Sequence, residues 1–214
     1  MHIFDGVLSV PVLVTGGVLA GAGVAIGLSK IKSDMTPQAS LLAAVFFTAS
    51  LIHVPIGPSS THLILNGLIG LLMGWVAFPI ILVGLILQAL LFQFGGITVL
   101  GVNTFNVAAP AVLMGFLFRP MVIGDDAVKS SIGAAASGFL SVLLTALLVC
   151  ISLYLSNTEN FNIAAQAIFL GHIPVMIIEG IVTLLVVRFL KKVKPEILQI
   201  SATNLHKPVL NKTN

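Results

Sequence analysis

The sequence predicts an all-α integral membrane protein, a bundle of about seven transmembrane helices with its amino terminus outside and its carboxy terminus cytoplasmic. Three observations lead to this. The 214 residues are 57% hydrophobic and only 8% charged, and a mean hydropathy of +1.13 exceeds what a soluble domain of ordinary composition reaches. The apolar residues gather in runs divided by polar or helix-breaking stretches. Lys and Arg are confined to alternate connections.

The runs fall at about 8–28, 38–54, 62–74, 76–94, 105–118, 127–155 and 162–190, against the roughly 20 residues needed to cross a hydrocarbon core. The first carries Gly17-x3-Gly21 and Gly23-x3-Gly27, spacings that let helix backbones approach closely in lipid. Lys30 to Pro37 ends it, and the second run ends at Pro55 to Ser60. The third, 62–74, carries Gly70-x3-Gly74 and is short, as is 105–118. Both read either as full spans or as half-helices and re-entrant hairpins, which in transporters border the binding site. Were both re-entrant, five crossings would remain; seven is the expectation. Gly95 to Asn103, Arg119 to Asp126 and Ser156 to Asn160 separate the later runs.

Sidedness follows from the cations, because cytoplasmic loops retain Lys and Arg. Lys30 and Lys32 follow the first run, Arg119 and Lys129 flank the connection before the sixth, and Arg188, Lys191, Lys192, Lys194, Lys207 and Lys212 end the chain. Those connections are expected inside. The amino terminus, Pro55–Ser60, Gly95–Asn103 and Asn157–Asn160 then face outward without a Lys or Arg among them. Residues 1–190 read as a single transmembrane domain and 191–214 as a cytoplasmic basic tail, in the cell's inner (plasma) membrane. No basic n-region precedes the first run, since the first Lys is Lys30, so the amino terminus with Met1 is expected to be retained.

Several functions are excluded early. The net charge of +3 is spread over segment ends rather than gathered in a patch, which argues against nucleic acid. Cys150, the single cysteine, lies in an apolar run and can build neither an internal disulfide nor a thiolate cluster. There is no Gly-rich loop ending in Lys and a hydroxyl residue, and no dinucleotide fingerprint, so any ATP hydrolysis belongs to another subunit.

The chemistry is expected at the outward end. Met1-His2-Ile3-Phe4-Asp5-Gly6 opens the chain. A free α-amine, the amide nitrogen of His2 and the His2 imidazole can close adjacent chelate rings around one metal ion, with proton release as the amine binds. His62, after Ser59-Ser60-Thr61, is positioned to supply a fourth nitrogen; its plainer reading is an interfacial residue. A four-nitrogen square plane suits Ni(II) or Cu(II) better than zinc, which prefers a tetrahedron. His53 is an alternative ligand, or a hydrogen-bonded residue beside Pro55. Asp5 and Gly6 shape a turn. Asn103, Thr104 and Asn106 bracket the outer end of the fifth segment, where they cap its helix or orient a ligand histidine. His172 and Glu179, seven apart on one helical face, are intramembrane ionisable residues that line a route, meet a partner, or pair with backbone and hydroxyl groups.

These residues resemble a known family, the membrane substrate-binding subunit of energy-coupling-factor cobalt/nickel transporters (CbiM/NikM type). The resemblance covers nearly all of the membrane region. It rests on Met1-His2-Ile3 with Asp5-Gly6, on Pro58-Ser59-Ser60-Thr61-His62-Leu63, on Gly101-Val102-Asn103-Thr104-Phe105-Asn106, and on His172-Ile173-Pro174 with Glu179-Gly180. It implies Ni(II) or Co(II) as transported substrate, held in a planar site by the Met1 amine, the His2 amide and imidazole, and His62. It also implies a seven-helix bundle working with a transmembrane coupling subunit, two cytoplasmic ATPase subunits and often a small accessory membrane subunit. Phe4 stands where the family commonly has Pro, which removes no ligating atom. The rival readings are a stand-alone secondary transporter or channel using His172 and Glu179, and an intramembrane enzyme, for which no nucleophile and base cluster is visible.

Overall fold

The computed structural model describes residues 3–51, 53–56, 59–157 and 161–198. Among these the chain forms seven α-helices and one short hairpin: α1 Val10–Ser29, α2 Thr36–Ala49, β1 His53–Ile56, β2 Ser59–His62, α3 Asn66–Met73, α4 Ala77–Phe92, α5 Leu100–Ile123, α6 Ala127–Leu155 and α7 Phe161–Val193. Five stretches are long and apolar enough to cross a membrane, namely α1, the α3–α4 stretch 66–92, α5, α6 and α7. The protein is thus a helical bundle of the integral membrane type, built from helices of unequal length.

Three details correct the sequence expectation. The chain is not purely α-helical, because β1 and β2 pair antiparallel with His53 opposite His62 and Ile56 opposite Ser59. Val, Ile and Thr favour a pleated strand, and Pro55 forbids a helix there. The run 62–74 is no span of its own, since only Asn66–Met73 is helical and a single 3-10 turn, Gly74–Val76, leads into α4. Gly74 takes φ 54°, a conformation a side chain would strain. Finally, 105–118 is the middle of the 24-residue α5, not a half-helix. Asn103, Thr104 and Asn106 disguised its first turns, but all three are buried and face the bundle rather than lipid.

The short helix α3 sits at the centre with all eight of its residues buried. It fits there because its neighbours approach to backbone distance. A Cβ placed on Gly70 would lie 1.8 Å from the Ala111 carbonyl oxygen, and one on Gly115 would lie 2.3 Å from that of Gly70. Such crossings of small residues are how helices gain van der Waals contact when lipid supplies no hydrophobic contrast. On α1, Gly23 and Gly27 pack against Phe78 and Pro79 of α4 as the spacing predicts. In the other pair, side chains added at Gly17 or Gly21 would meet nothing, yet the Gly17 backbone lies close against Gly101 of α5, and Gly16 packs on Val102.

Polar residues inside the bundle join helices. Asn66 Nδ2 donates to the Val107 carbonyl at 3.1 Å and to Thr145 Oγ1 at 3.0 Å, tying the start of α3 to α5 and α6. At the start of α6, Asp126 accepts from the N–H groups of Val128 at 2.9 Å and Lys129 at 3.1 Å, an ordinary side-chain cap.

The two ends of the bundle differ in charge. At one end, Asp5 N–H donates to the Gly95 carbonyl at 3.2 Å and Ser9 N–H to Ser156 Oγ at 3.1 Å, gathering the amino-terminal segment, the α4–α5 connection and the end of α6. At the other, a cavity of about 310 Å³ is lined by Lys30, Lys32 and Arg119 beside Trp75. There Lys191 Nζ donates to the Gly124 carbonyl at 2.6 Å, and Arg119 reaches the carbonyl of the buried Leu198.

Candidate metal centre

The hairpin delivers His62 into the bundle. As the last residue of β2 it is only 4% exposed, and its Nδ1 lies 2.8 Å from the Leu63 carbonyl oxygen. A carbonyl can only accept, so Nδ1 carries the hydrogen, and when the ring is neutral its lone pair lies on Nε2. This is the tautomer of a histidine that ligates through Nε2, with its other nitrogen anchored. His53 is the register partner of His62 across the hairpin; its side chain lies outside the described residues.

Met1 and His2 also lie outside the described residues, but the residue that follows them is firmly placed. Ile3 is buried, its N–H donates to Asn103 Oδ1 at 3.1 Å, and its carbonyl accepts from Asn103 Nδ2 at 3.0 Å. Asn103 lies in the first turn of α5 and spends its whole amide on the amino-terminal segment. Two residues on, Asp5 Oδ1 accepts from Thr98 N–H at 3.1 Å and Val99 N–H at 3.3 Å, with the Thr98 hydroxyl as a third donor. The carboxylate thereby holds the turn that leads into α5 from a distant part of the chain, near the positive end of that helix. Gly6 completes the turn at φ 83°. Asn106, one turn along from Asn103, donates to Ser152 Oγ at 3.2 Å and so fixes α5 to α6.

His172 and Glu179 are both fully buried on α7. His172 Nδ1 is bonded to the Ile168 carbonyl of its own helix. Glu179 Oε1 accepts from Ile64 N–H and, at 2.7 Å, from Leu65 N–H. Its target is the non-helical backbone between β2 and α3, where Leu65 takes φ 54°. Amides outside a helix need an acceptor when no water is present, and Glu179 provides it.

Among the described residues, no group of three or more His, Cys, Asp and Glu side chains stands close enough to hold a metal ion. Some of the contacts that order the bundle come from residues that sequence reasoning passed over. Thr98, Asn66, Thr145 and Ser152 bond across elements far apart in the chain. Asn66 had a legible signal, a lone amide within an otherwise apolar run. Thr98 and Ser152 had none.

A protein-family model described as the cobalt uptake substrate-specific transmembrane region matches residues 2–197. The chain is 41% identical over 202 residues to a Haemophilus influenzae protein named "Putative metal transport protein", an alignment spanning 92% of this chain and 97% of that one. It is 27% identical over 204 residues to an Archaeoglobus fulgidus protein named "Putative fused nickel transport protein NikMN", spanning 93% of this chain and 68% of the relative. A crystal structure described as that of a transition metal transporter superposes with a TM-score of 0.76 at 26% identity, covering 97% of this chain and all of the other.

Proposed function

The chain belongs to the CbiM family of cobalt-uptake substrate-specific transmembrane proteins, and from that premise we propose that it captures Ni(II) or Co(II) at the outer face of the inner membrane for an ATP-driven energy-coupling-factor importer. It is a cobalt/nickel transport component rather than an enzyme. In the proposed site the metal is the cargo, held in a plane by the Met1 amine, the His2 amide nitrogen, the His2 imidazole and His62 Nε2.

The observation that carries this reading is the geometry of His62: a buried imidazole whose Nδ1 is committed to the Leu63 carbonyl, so that Nε2 is the ring nitrogen that would ligate the metal. The clasp of Asn103 on Ile3 supports it, because the peptide group just after His2 is fixed in place. A rigid plane of strong-field nitrogens favours low-spin Ni(II), and nickel is the preferred cargo.

The basic end of the bundle is assigned to the cytoplasm, which puts the amino-terminal segment outside as a plug over the metal. A transmembrane coupling subunit and two ATPase subunits drive release inward, with a small accessory membrane subunit where one exists. The fused form of the nickel transport relative supports a further subunit as partner.

The test is stoichiometric binding of Ni(II) and Co(II) to purified protein with its native amino terminus, beside His2→Ala, His62→Ala and a variant with one residue added before Met1. One-to-one binding lost in all three variants is expected. Undiminished binding by the extended variant would refute the amino-terminal chelate.

A further inference from the structure

The peptide group joining Leu63 to Ile64 is hydrogen-bonded at both ends. Its oxygen accepts from His62 Nδ1 at 2.8 Å, and its N–H donates to Glu179 Oε1. The same side-chain oxygen also accepts from Leu65 N–H at 2.7 Å, so the two peptide groups after Leu63 converge on one atom. Glu179 itself is fully buried, on a stretch of α7 whose backbone packs closely against α6: a Cβ on Gly138 would lie 2.4 Å from the Glu179 carbonyl oxygen.

We infer that Glu179 acts on the metal ligand His62 through this single peptide group, setting both the orientation of the imidazole and the donor strength of its Nε2. The inference rests on the proposed reading of His62 as the fourth nitrogen ligand. Metal-binding histidines commonly pass their second N–H to a carboxylate or a carbonyl, which fixes the ring and raises its basicity. Here both are present in series, a carbonyl in contact and a carboxylate behind it. Hydrogen bonds in a chain polarise one another, the more so in a low-dielectric interior. Negative charge at the N–H end makes the Leu63 carbonyl a better acceptor, which draws the Nδ1 proton outward and leaves more electron density on Nε2. Glu179 is therefore a positioning residue that need not touch the metal.

A merely structural Glu179 would do less. Two amides outside a helix require an acceptor, but a neutral amide oxygen meets that requirement as well as a carboxylate does. Glu179→Gln separates the two roles, because its oxygen can accept both bonds while the charge is gone.

The experiment uses the full chain in detergent with its native amino terminus, titrated with Ni(II) while the d–d absorption of the planar complex is followed. For folded, monodisperse Glu179→Gln, the expected result is an affinity weakened about ten- to a hundredfold. The absorption band at saturation is also expected at longer wavelength, because a weaker donor narrows the d-orbital splitting. Native affinity and a native band in this variant overturn the inference. Should Glu179→Gln fail to fold, Glu179→Asp takes its place. It keeps the charge but withdraws it by one methylene, so both readouts shift in the same directions by smaller factors, and native values overturn the inference equally. Thr183→Val, one turn along α7 and as deeply buried, is expected to leave both readouts unchanged; a matching loss there would show that any disturbance of α7 suffices. If the native protein has no planar Ni(II) band, or if His62→Ala retains it, the four-nitrogen reading fails first and the relay fails with it.

Discussion

Asn103 holds Ile3 by both of its main-chain polar groups, taking the N–H at 3.1 Å and giving to the carbonyl at 3.0 Å. Few side chains other than a carboxamide can do both at once, since the bond pair requires one acceptor and one donor held in a plane. Asn103→Ala leaves two buried peptide groups without partners at a cost of about 2–3 kcal/mol for the pair. We expect that cost to appear as Ni(II) binding weakened by roughly 30- to 100-fold. The melting temperature of the bundle should change little, because the clasp lies at one end of it. Asn103→Asp keeps the acceptor and loses the donor, and is expected to fall between Ala and native.

Asp5 holds the Thr98–Val99 turn that leads into α5. Asp5→Ala is expected to destabilise the junction of the amino-terminal segment with α5 by about 1–3 kcal/mol, as for other lost hydrogen bonds to a charged group. Hydrogen exchange of the Thr98 and Val99 amides should rise, and the amides of α6 should be unaffected.

Metal affinity is expected to rise with pH. An α-amine ordinarily titrates near 8 and binds only when neutral, and the His2 amide must also surrender its proton. Between about pH 7, where most of an ordinary imidazole is neutral, and pH 8, close to two protons leave per metal bound, so affinity should climb by up to roughly a hundredfold per pH unit. Competition titrations at three pH values measure the slope. A slope near zero would mean that the amine and amide are not ligands.

The α3–α5 crossing should tolerate no side chain. Gly70→Ala sets a methyl group against the Ala111 carbonyl, 1.8 Å from the ideal Cβ, and the contact partner is backbone that cannot rotate away. We expect a loss of about 1–3 kcal/mol, read as a lower midpoint in a thermal melt. Gly21→Ala, where a Cβ would meet nothing, is the matched control and should be neutral.

Much of the architecture was legible because lipid simplifies the code. Apolar runs mark spans, and the cations mark one end, where Lys30, Lys32 and Arg119 do line a common cavity. The rule failed where polar side chains face inward. Asn103, Thr104 and Asn106 made α5 look short, and hydropathy cannot tell a residue that ends a helix from one that turns its polar group into the bundle. The β-hairpin was missed because four-residue strands carry too little period to register.

What the sequence by itself determined is the class of the molecule and its candidate ligands: an apolar chain, a histidine at position two, and His62 within a polar stretch. Local chemistry was enough for that, since hydropathy and chelate-ring size depend only on neighbours in the chain. Tertiary structure alone decided that Asn103 grips Ile3, that Asp5 holds the turn before α5, and that Glu179 stands behind the peptide group on which His62 rests. These pairs are about a hundred residues apart in sequence. They meet because small residues let α3, α5, α6 and α7 close to backbone distance, and in a medium without water every polar group left inside must then find a partner within the chain.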